Sequence, residues 1–235
     1  HKYILYKILL IKSKKRNSKY YQSLIDIIKP KEDKYVFFSL QYQPEKSTCP
    51  QGGYFVDQYL AIKLLSENVP SEWKIYVKEH PSQFVISYAR YGDHYRNKNF
   101  YDKIKKLKNV KFVSTSEDSY SLIDHCQFTA SVGGTVCFES IIRLKPSFLF
   151  GNAWYNANNY IFKINNSNDI KEAIDKISGE EINKDIIDKF IRKIDIYTHK
   201  GVIGGENQLK NMSISSKNNA FILAGAITEY LNDKK

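Results

Sequence analysis

Residues 110–151 read "VKFVSTSEDSYSLIDHCQFTASVGGTVCFESIIRLKPSFLFG". Three short β-branched or aromatic runs stand out: VKFV (110–113), QFTAS (127–131) and PSFLFG (146–151). Between them lie two stretches with helical patterning, SYSLIDHC (119–126) and TVCFESIIRL (135–144). Strand–helix–strand alternation with short links implies βαβ units, and so a parallel sheet covered by helices on both faces.

The same alternation extends upstream. YVFFSL (35–40) predicts a strand, YFVDQYLAIKLLSEN (54–68) a helix closed by Pro70, and WKIYVKEHP (73–81) a strand ending at a His-Pro turn. FYDKIKKLKN (100–109) predicts a helix, as does SLIDIIKP (23–30), stopped by Pro30. Downstream, YIFKI (160–164) is a last short strand. Beyond residue 165 the pattern is mostly helical, with one polar, Gly-rich segment, THKGVIGGENQLKNMSISS (198–216), expected as a long mobile loop. The fold expectation is an α/β chain with a Rossmann-like parallel sheet and a helical C-terminal cap. Its expected domains are a linker or remnant of a preceding domain (1–30), a Rossmann-like domain (31–165) and a helical C-terminal region (166–235).

Composition narrows the class. The 235 residues are 42% hydrophobic and 26% charged, enough apolar matter for a sizeable core. The opening YILYKILLI is too short to span a bilayer and is interrupted by Lys7, so it predicts an element that packs against something upstream. Cys49, Cys126 and Cys137 show neither disulfide nor metal spacing and suit a reducing cytoplasm. The net charge of +11 favours anionic partners, although the abundance of Lys, Asn, Ile and Tyr equally reflects AT-rich coding. The clusters Lys12 to Arg16 and Lys103 to Lys108 are expected to be solvated faces.

Ligands of open parallel sheets bind outside the carboxyl ends of the strands, and three such ends carry unusual residues. QYQPEKST (41–48) follows the first strand. Glu45 there could act as nucleophile, base or electrostatic partner, with Gln43 and Ser47 orienting it or binding sugar hydroxyls and Pro44 stiffening the loop. An ordinary polar turn is the competing reading. In VKEHP (77–81), His80 could donate to a phosphate oxygen or protonate a leaving phosphate, and alternation sets Lys78 on the same face; a turn histidine satisfied by backbone is the competing reading. In SVGGTVCFES (131–140), Gly133 and Gly134 would let backbone N–H groups approach an anion beside a helix start at Thr135; Glu139 could accept from ribose hydroxyls. The competing reading is a tight turn that needs positive φ. No Asp-X-Asp, Walker or Gly-X-Ser-X-Gly motif occurs, and His94, His125 and His199 lack ligand spacing and read as structural or surface residues. The expected chemistry needs no metal and no cofactor.

Taken in order, the segments QPEKS, GGYFVDQYLAIKLL, WKIYVKEHPSQ and NVKFVSTSEDSYSLIDHCQFTASVGGTVCFESIIRLKPSFLFGNAWY, spanning about residues 35–155, resemble the bacterial capsule polysaccharide biosynthesis family. That family includes retaining transferases that add β-Kdo from CMP-Kdo. The resemblance implies the donor half of a GT-B-like glycosyltransferase. It implies His80 at the nucleotide phosphate, Ser131, Gly133, Gly134 and Thr135 in the phosphate turn, Glu139 at the ribose, and Glu45 at the catalytic carboxylate position. Kdo-transferring members carry Asp in that loop, so Glu45 is a departure that bears on the sugar or on the residue's role.

The resulting expectation is an enzyme: a metal-independent retaining glycosyltransferase. It would move a sugar from a nucleotide-activated donor (CMP-Kdo-like or a UDP-sugar) to a growing capsule or other surface polysaccharide. Its expected partners are the nucleotide sugar, a polysaccharide or glycolipid acceptor, an upstream N-terminal domain and, peripherally, the inner membrane; nucleic acid is not expected. The expected location is the cytoplasm. A basic, non-catalytic module for a polyanion or nucleic acid is the alternative.

Overall fold

A computed structural model describes residues 2–85, 95–179, 181–196, 198–199, 201–203 and 206–232. The chain divides into two compact units, residues 1–183 and 184–235.

The first unit is built on six parallel strands: β1 (Tyr35–Ser39), β2 (Lys74–Lys78), β3 (Val110–Val113), β4 (Phe128–Ser131), β5 (Ser147–Leu149) and β6 (Ile161–Lys163). Their spatial order is β3-β2-β1-β4-β5-β6, and every pairing is parallel. This is the doubly wound order, in which the chain leaves β1 in opposite directions in its two halves. The reversal opens a crevice between the carboxyl ends of β1 and β4.

The helices of this unit are α1 (Lys2–Ser23), α2 (Gln58–Asn68), α3 (Lys98–Lys105), α4 (Ser119–His125), α5 (Val136–Ile142) and α6 (Ser167–Gly179). Strand side chains alternate between faces. Val36, Phe38, Ile75, Val77, Phe128 and Ala130 share one core with Tyr21 of α1, Ala61 and Leu65 of α2, Ile104 of α3 and Ile170 of α6. On the opposite face Tyr35 donates to Leu122 O of α4 at 2.6 Å, and Ser147 Oγ to Cys137 O of α5 at 3.0 Å. Both faces are therefore covered, as the alternation predicted.

Helix α1 buries Leu10, Lys14, Asn17 and Tyr21, a three-and-four spacing that forms one stripe. Lys14, expected in a solvated basic face, is instead buried, and its Nζ donates to Val85 O at 3.1 Å. Ile4, Leu5, Ile8 and Leu9 stay exposed at the helix start. Among the described residues no helix is long and apolar enough to cross a membrane.

SLIDIIKP does not form the predicted helix. Its backbone is recruited by the sheet edge: Ile25 bridges in parallel to Phe112, Asp26 N donates to Phe112 O at 2.9 Å, and Asp26 Oδ2 accepts from Phe112 N at 2.8 Å. Helix α2 starts later than predicted, at Gln58, because Asp57 caps it by accepting from Tyr59 N; Gly53–Val56 is a single 3₁₀ turn.

The second unit holds α7 (Lys184–Ile196), α8 (Glu206–Asn211) and α9 (Ser216–Asn232). The segment 198–216 was expected to be a loop throughout, yet it carries α8. It is also pinned to α9, since Asn219 accepts from Val202 N at 2.7 Å and donates to Val202 O at 2.9 Å.

Candidate active site

The crevice at the β1/β4 reversal is a cleft of about 530 Å³. Its walls come from the three strand-end loops singled out in the sequence. Glu45 and Ser47 follow β1, Lys78 ends β2 with His80 just beyond it, and Gly133, Gly134, Thr135 and Glu139 follow β4. Gln43 and Ser131, expected to bind substrate, do not line the cleft.

Gln43 is buried, and its polar groups are taken by protein. Its N donates to Gln83 Oε1 at 3.0 Å, its O accepts from Gln83 Nε2 at 3.2 Å, and its Nε2 donates to Val56 O at 2.7 Å. Gln58 clamps the backbone of Gln41 in the same reciprocal way, at 2.9 and 3.0 Å. Two buried glutamine amides thus extend the sheet's hydrogen bonding past the end of β1, where no strand partner remains. The expected role of Gln43 at the sugar is replaced by a role in the frame.

Beneath the loops lies a buried ion pair. Arg96 Nε donates to Glu79 Oε2 at 2.6 Å, with side chains only 1% and 0% exposed. The remaining guanidinium nitrogens donate to Gln43 Oε1 (2.6 Å) and Gln41 O (2.9 Å), and the plane lies 4.4 Å from the Phe100 ring centre. Glu79 also accepts from Tyr101 OH at 2.8 Å and from His80 N at 2.9 Å. A buried carboxylate and guanidinium are stable only when each is paired and hydrogen-bonded, and here every guanidinium nitrogen donates and both Glu79 oxygens accept. One guanidinium therefore joins the loop after β1 to the loop after β2. Neither Glu79 nor Arg96 was picked out in the sequence, since a Glu beside His-Pro and a lone Arg look like surface residues.

On this frame the backbone of Glu45 is held rigidly. Its carbonyl accepts from Thr48 N (3.0 Å), Cys49 N (2.8 Å) and Thr48 Oγ1 (2.8 Å), while its carboxylate is exposed and accepts from Ser47 Oγ at 3.0 Å. His80 Nδ1 accepts from Ser82 N at 3.1 Å, which assigns the ring proton to Nε2 and makes that edge a hydrogen-bond donor. Lys78 Nζ donates to Glu117 O (2.6 Å) and Ser119 Oγ (2.7 Å), two of an ammonium's three donors. Burial lowers its pKa below the usual lysine range, with Asp118 and Glu117 pulling it partly back.

Gly133 and Gly134 do not adopt positive φ; what they supply is room. A Cβ on Gly133 would lie 3.1 Å from Ser47 O and 3.3 Å from Asn152 O. One on Gly134 would lie 3.0 Å from Ser131 Oγ. The two glycines let the β1 loop settle against the β4 turn. Ser131 works from inside that turn, with its Oγ donating to Ser39 O and accepting from Gly134 N. Thr135 Oγ1 donates to Glu139 Oε1 at 2.8 Å, so the two expected ligand groups are also partners of each other. Trp154, 63% exposed and packed on Phe138, adds an aromatic wall that the sequence reading had not assigned to the site.

His125 bonds to Ser121 O and His199 is exposed; neither lines the cleft. His94 lies outside the described residues. Burial pushes the Cys126 and Cys137 thiols up to about 12, which removes both as nucleophiles near neutral pH. Among the described residues no three His, Cys, Asp or Glu side chains converge as a metal site.

Sheet order and cleft together define a doubly wound α/β domain of Rossmann type whose open site lies at its topological switch point. Residues 2–160 match the family described as capsule polysaccharide biosynthesis protein, and the chain belongs to that family. No curated protein sequence matches it. Among solved structures it is similar to the UDP-GlcNAc 2-epimerase from Methanocaldococcus jannaschii (13% identity, TM-score 0.46, covering 72% of this chain and 44% of that one). It is also similar to two Thermosulfurimonas dismutans KpsC structures. The β-Kdo 2,7 transferase has 14% identity and TM-score 0.44, covering 68% of this chain and 47% of that one. The β-Kdo 2,4 transferase has 18% identity and TM-score 0.42, covering 77% and 63%. The chain thus spans less than two thirds of the length of each.

Proposed function

We propose that this chain is the sugar-donor half of a retaining glycosyltransferase that uses a nucleotide-activated sugar to extend a capsule or other surface polysaccharide. The observation that carries the reading is convergence: three loops far apart in sequence bring a carboxylate, an imidazole N–H and an ammonium into one cleft at the switch point. Membership of the capsule polysaccharide biosynthesis family supports the reading of a surface polysaccharide as the product. In this reading Lys78 and His80 Nε2 hold the nucleotide phosphate, and the turn from Gly133 to Thr135 seats it. Glu139 takes a ribose hydroxyl, and no metal takes part.

Glu45 then attacks the anomeric carbon as its bond to the phosphate oxygen breaks, and the phosphate departs with the bonding electron pair. The glycosyl ester so formed is opened by an acceptor hydroxyl, which passes its proton to the bound nucleotide phosphate as Glu45 departs as a carboxylate, and two inversions make net retention. In a front-face variant of the mechanism Glu45 only stabilises positive charge at that carbon. Intact-mass measurement of enzyme trapped during turnover separates the two: a sugar adduct on Glu45 supports the ester, and its absence in competent enzyme sinks it.

A thermal-shift panel of CMP, CDP, UDP and GDP tests the reading at its base. A nucleotide present at about 100 times its Kd is expected to stabilise the fold by ~2.7 kcal/mol. Stabilisation by CMP alone would point to Kdo or another nonulosonate, and by UDP to a hexose or uronic acid. No stabilisation by any of the four would overturn the proposal. Lys78 adds a pH signature. Because burial lowers its pKa, it loses its charge before a solvent-exposed lysine does as pH rises. Nucleotide affinity measured by calorimetry is therefore expected to fall from neutral to alkaline pH, and this slope should flatten in Lys78→Met.

A further inference from the structure

Among the described residues, two buried side-chain nitrogen or oxygen atoms have no hydrogen-bond partner: Gln41 Oε1 and Asn158 Nδ2. Only Gln41 lines the cleft. It is 6% exposed, and its backbone is locked from three directions by the two bonds to Gln58 and the one from Arg96. The side chain lies over the Gly133–Gly134 turn. A Cβ on Gly133 would come 3.7 Å from its Oε1, and one on Gly134 would come 3.3 Å from its Cγ. The sequence therefore has two glycines beside an amide whose oxygen bonds to nothing among the described residues. Buried acceptors without partners are rare, because each forgoes its bond to water with no replacement.

We propose that Gln41 Oε1 accepts a hydrogen bond from a hydroxyl of the donor sugar, which makes Gln41 a specificity residue that reads the sugar and not the nucleotide. This rests on the glycosyltransferase reading above. Two observations assign the ligand group. First, an amide oxygen only accepts, and phosphate oxygens at neutral pH also only accept, so the phosphate cannot satisfy it. Second, the other end of the amide faces the carboxylate side of the cleft: Gln41 Nε2 is 3.4 Å from Ser47 Oγ, which donates to Glu45 Oε2 at 3.0 Å. Gln41 is thus one hydroxyl away from the group placed at the anomeric carbon. The cleft divides by chemistry, with hydrogen-bond donors (Lys78, His80) for the phosphate and a neutral acceptor for the sugar.

The test is Gln41→Met, which keeps the length and removes both polar atoms. Calorimetry compares the full chain and the variant with CMP against CMP-Kdo, and with UDP against UDP-N-acetylglucosamine. The expected result is unchanged affinity for the free nucleotide and roughly tenfold weaker binding of its sugar conjugate. The melting temperature should stay level or rise, because an unsatisfied buried acceptor has been removed. Equal weakening of nucleotide and conjugate would place Gln41 at the nucleotide and overturn the inference. So would unchanged binding of both, or a melting temperature several degrees lower, which would mark the amide as structural. If wild type binds none of the four probes and neither CDP nor GDP stabilises it, the glycosyltransferase reading itself fails, an outcome distinct from the other three.

Discussion

Under the proposed mechanism, Glu45→Gln is expected to reduce sugar transfer by about 10³-fold or more while leaving nucleotide affinity intact, since losing a nucleophile or its charge would remove stabilisation made only in the transition state. The substitution is nearly isosteric, and the backbone bonds that fix position 45 do not involve its side chain. Loss of rate therefore reports chemistry, and the measurement is single-turnover transfer at saturating nucleotide sugar. Glu45→Asp is the sharper variant, because it keeps the charge and changes only the reach of the side chain. With the backbone held at Glu45 O by three donors, shortening the side chain retracts the carboxylate by about 1 Å. Such a misplacement is expected to slow transfer by ~10²-fold. A Glu45→Asp enzyme as fast as wild type would show that the carboxylate does not make the bond, and Glu45→Gln with full activity would remove it from the site.

Arg96→Ala should produce the largest loss of stability. It strands the Glu79 carboxylate in a fully buried position and unties Gln41 O and Gln43 Oε1 from the loop after β2. Breaking one side of a buried ion pair costs about 3–5 kcal/mol, which for a domain of this size lowers the melting temperature by roughly 10 °C. Arg96→Lys is expected to recover only part of this, because a single ammonium cannot serve Glu79, Gln43 and Gln41 from one plane. Replacing Glu79 and Arg96 together by Met and Leu should cost much less than Arg96→Ala alone, since no buried charge is left unpaired. A scanning calorimeter checks all three; a melting temperature for Arg96→Ala within a degree or two of wild type would contradict the account.

The parallel sheet was legible because its signal is local and repeated. VKFV, QFTAS and PSFLFG are β-branched or aromatic runs of a few residues between helical patterns, and each became a strand within one or two residues of its expected ends. Glu45, His80 and the Gly-Gly turn could be found for a related reason, since polar residues straight after buried strands fall where such sheets bind ligands. SLIDIIKP failed because helical periodicity is only a propensity, and the edge of β3 offered its backbone better-placed partners. Gly133 and Gly134 do line the cleft, but not through positive φ: they leave space beside Ser47 O and Gln41, which no local pattern encodes.

Read along the chain, the residues specify the strand and helix alternation, the parallel sheet covered on both faces that follows from it, and three polar loops at its strand ends. That these loops share one cleft, that Gln43 belongs to the frame while Gln41 faces the cleft, and that Glu79 and Arg96 join the loops from below emerges only once the chain is folded. The physical reason is range. Propensity and periodicity act between near neighbours, so they can be read along the chain. A buried ion pair, an amide clamp and an unpartnered oxygen are defined by groups that meet only after the sheet has formed.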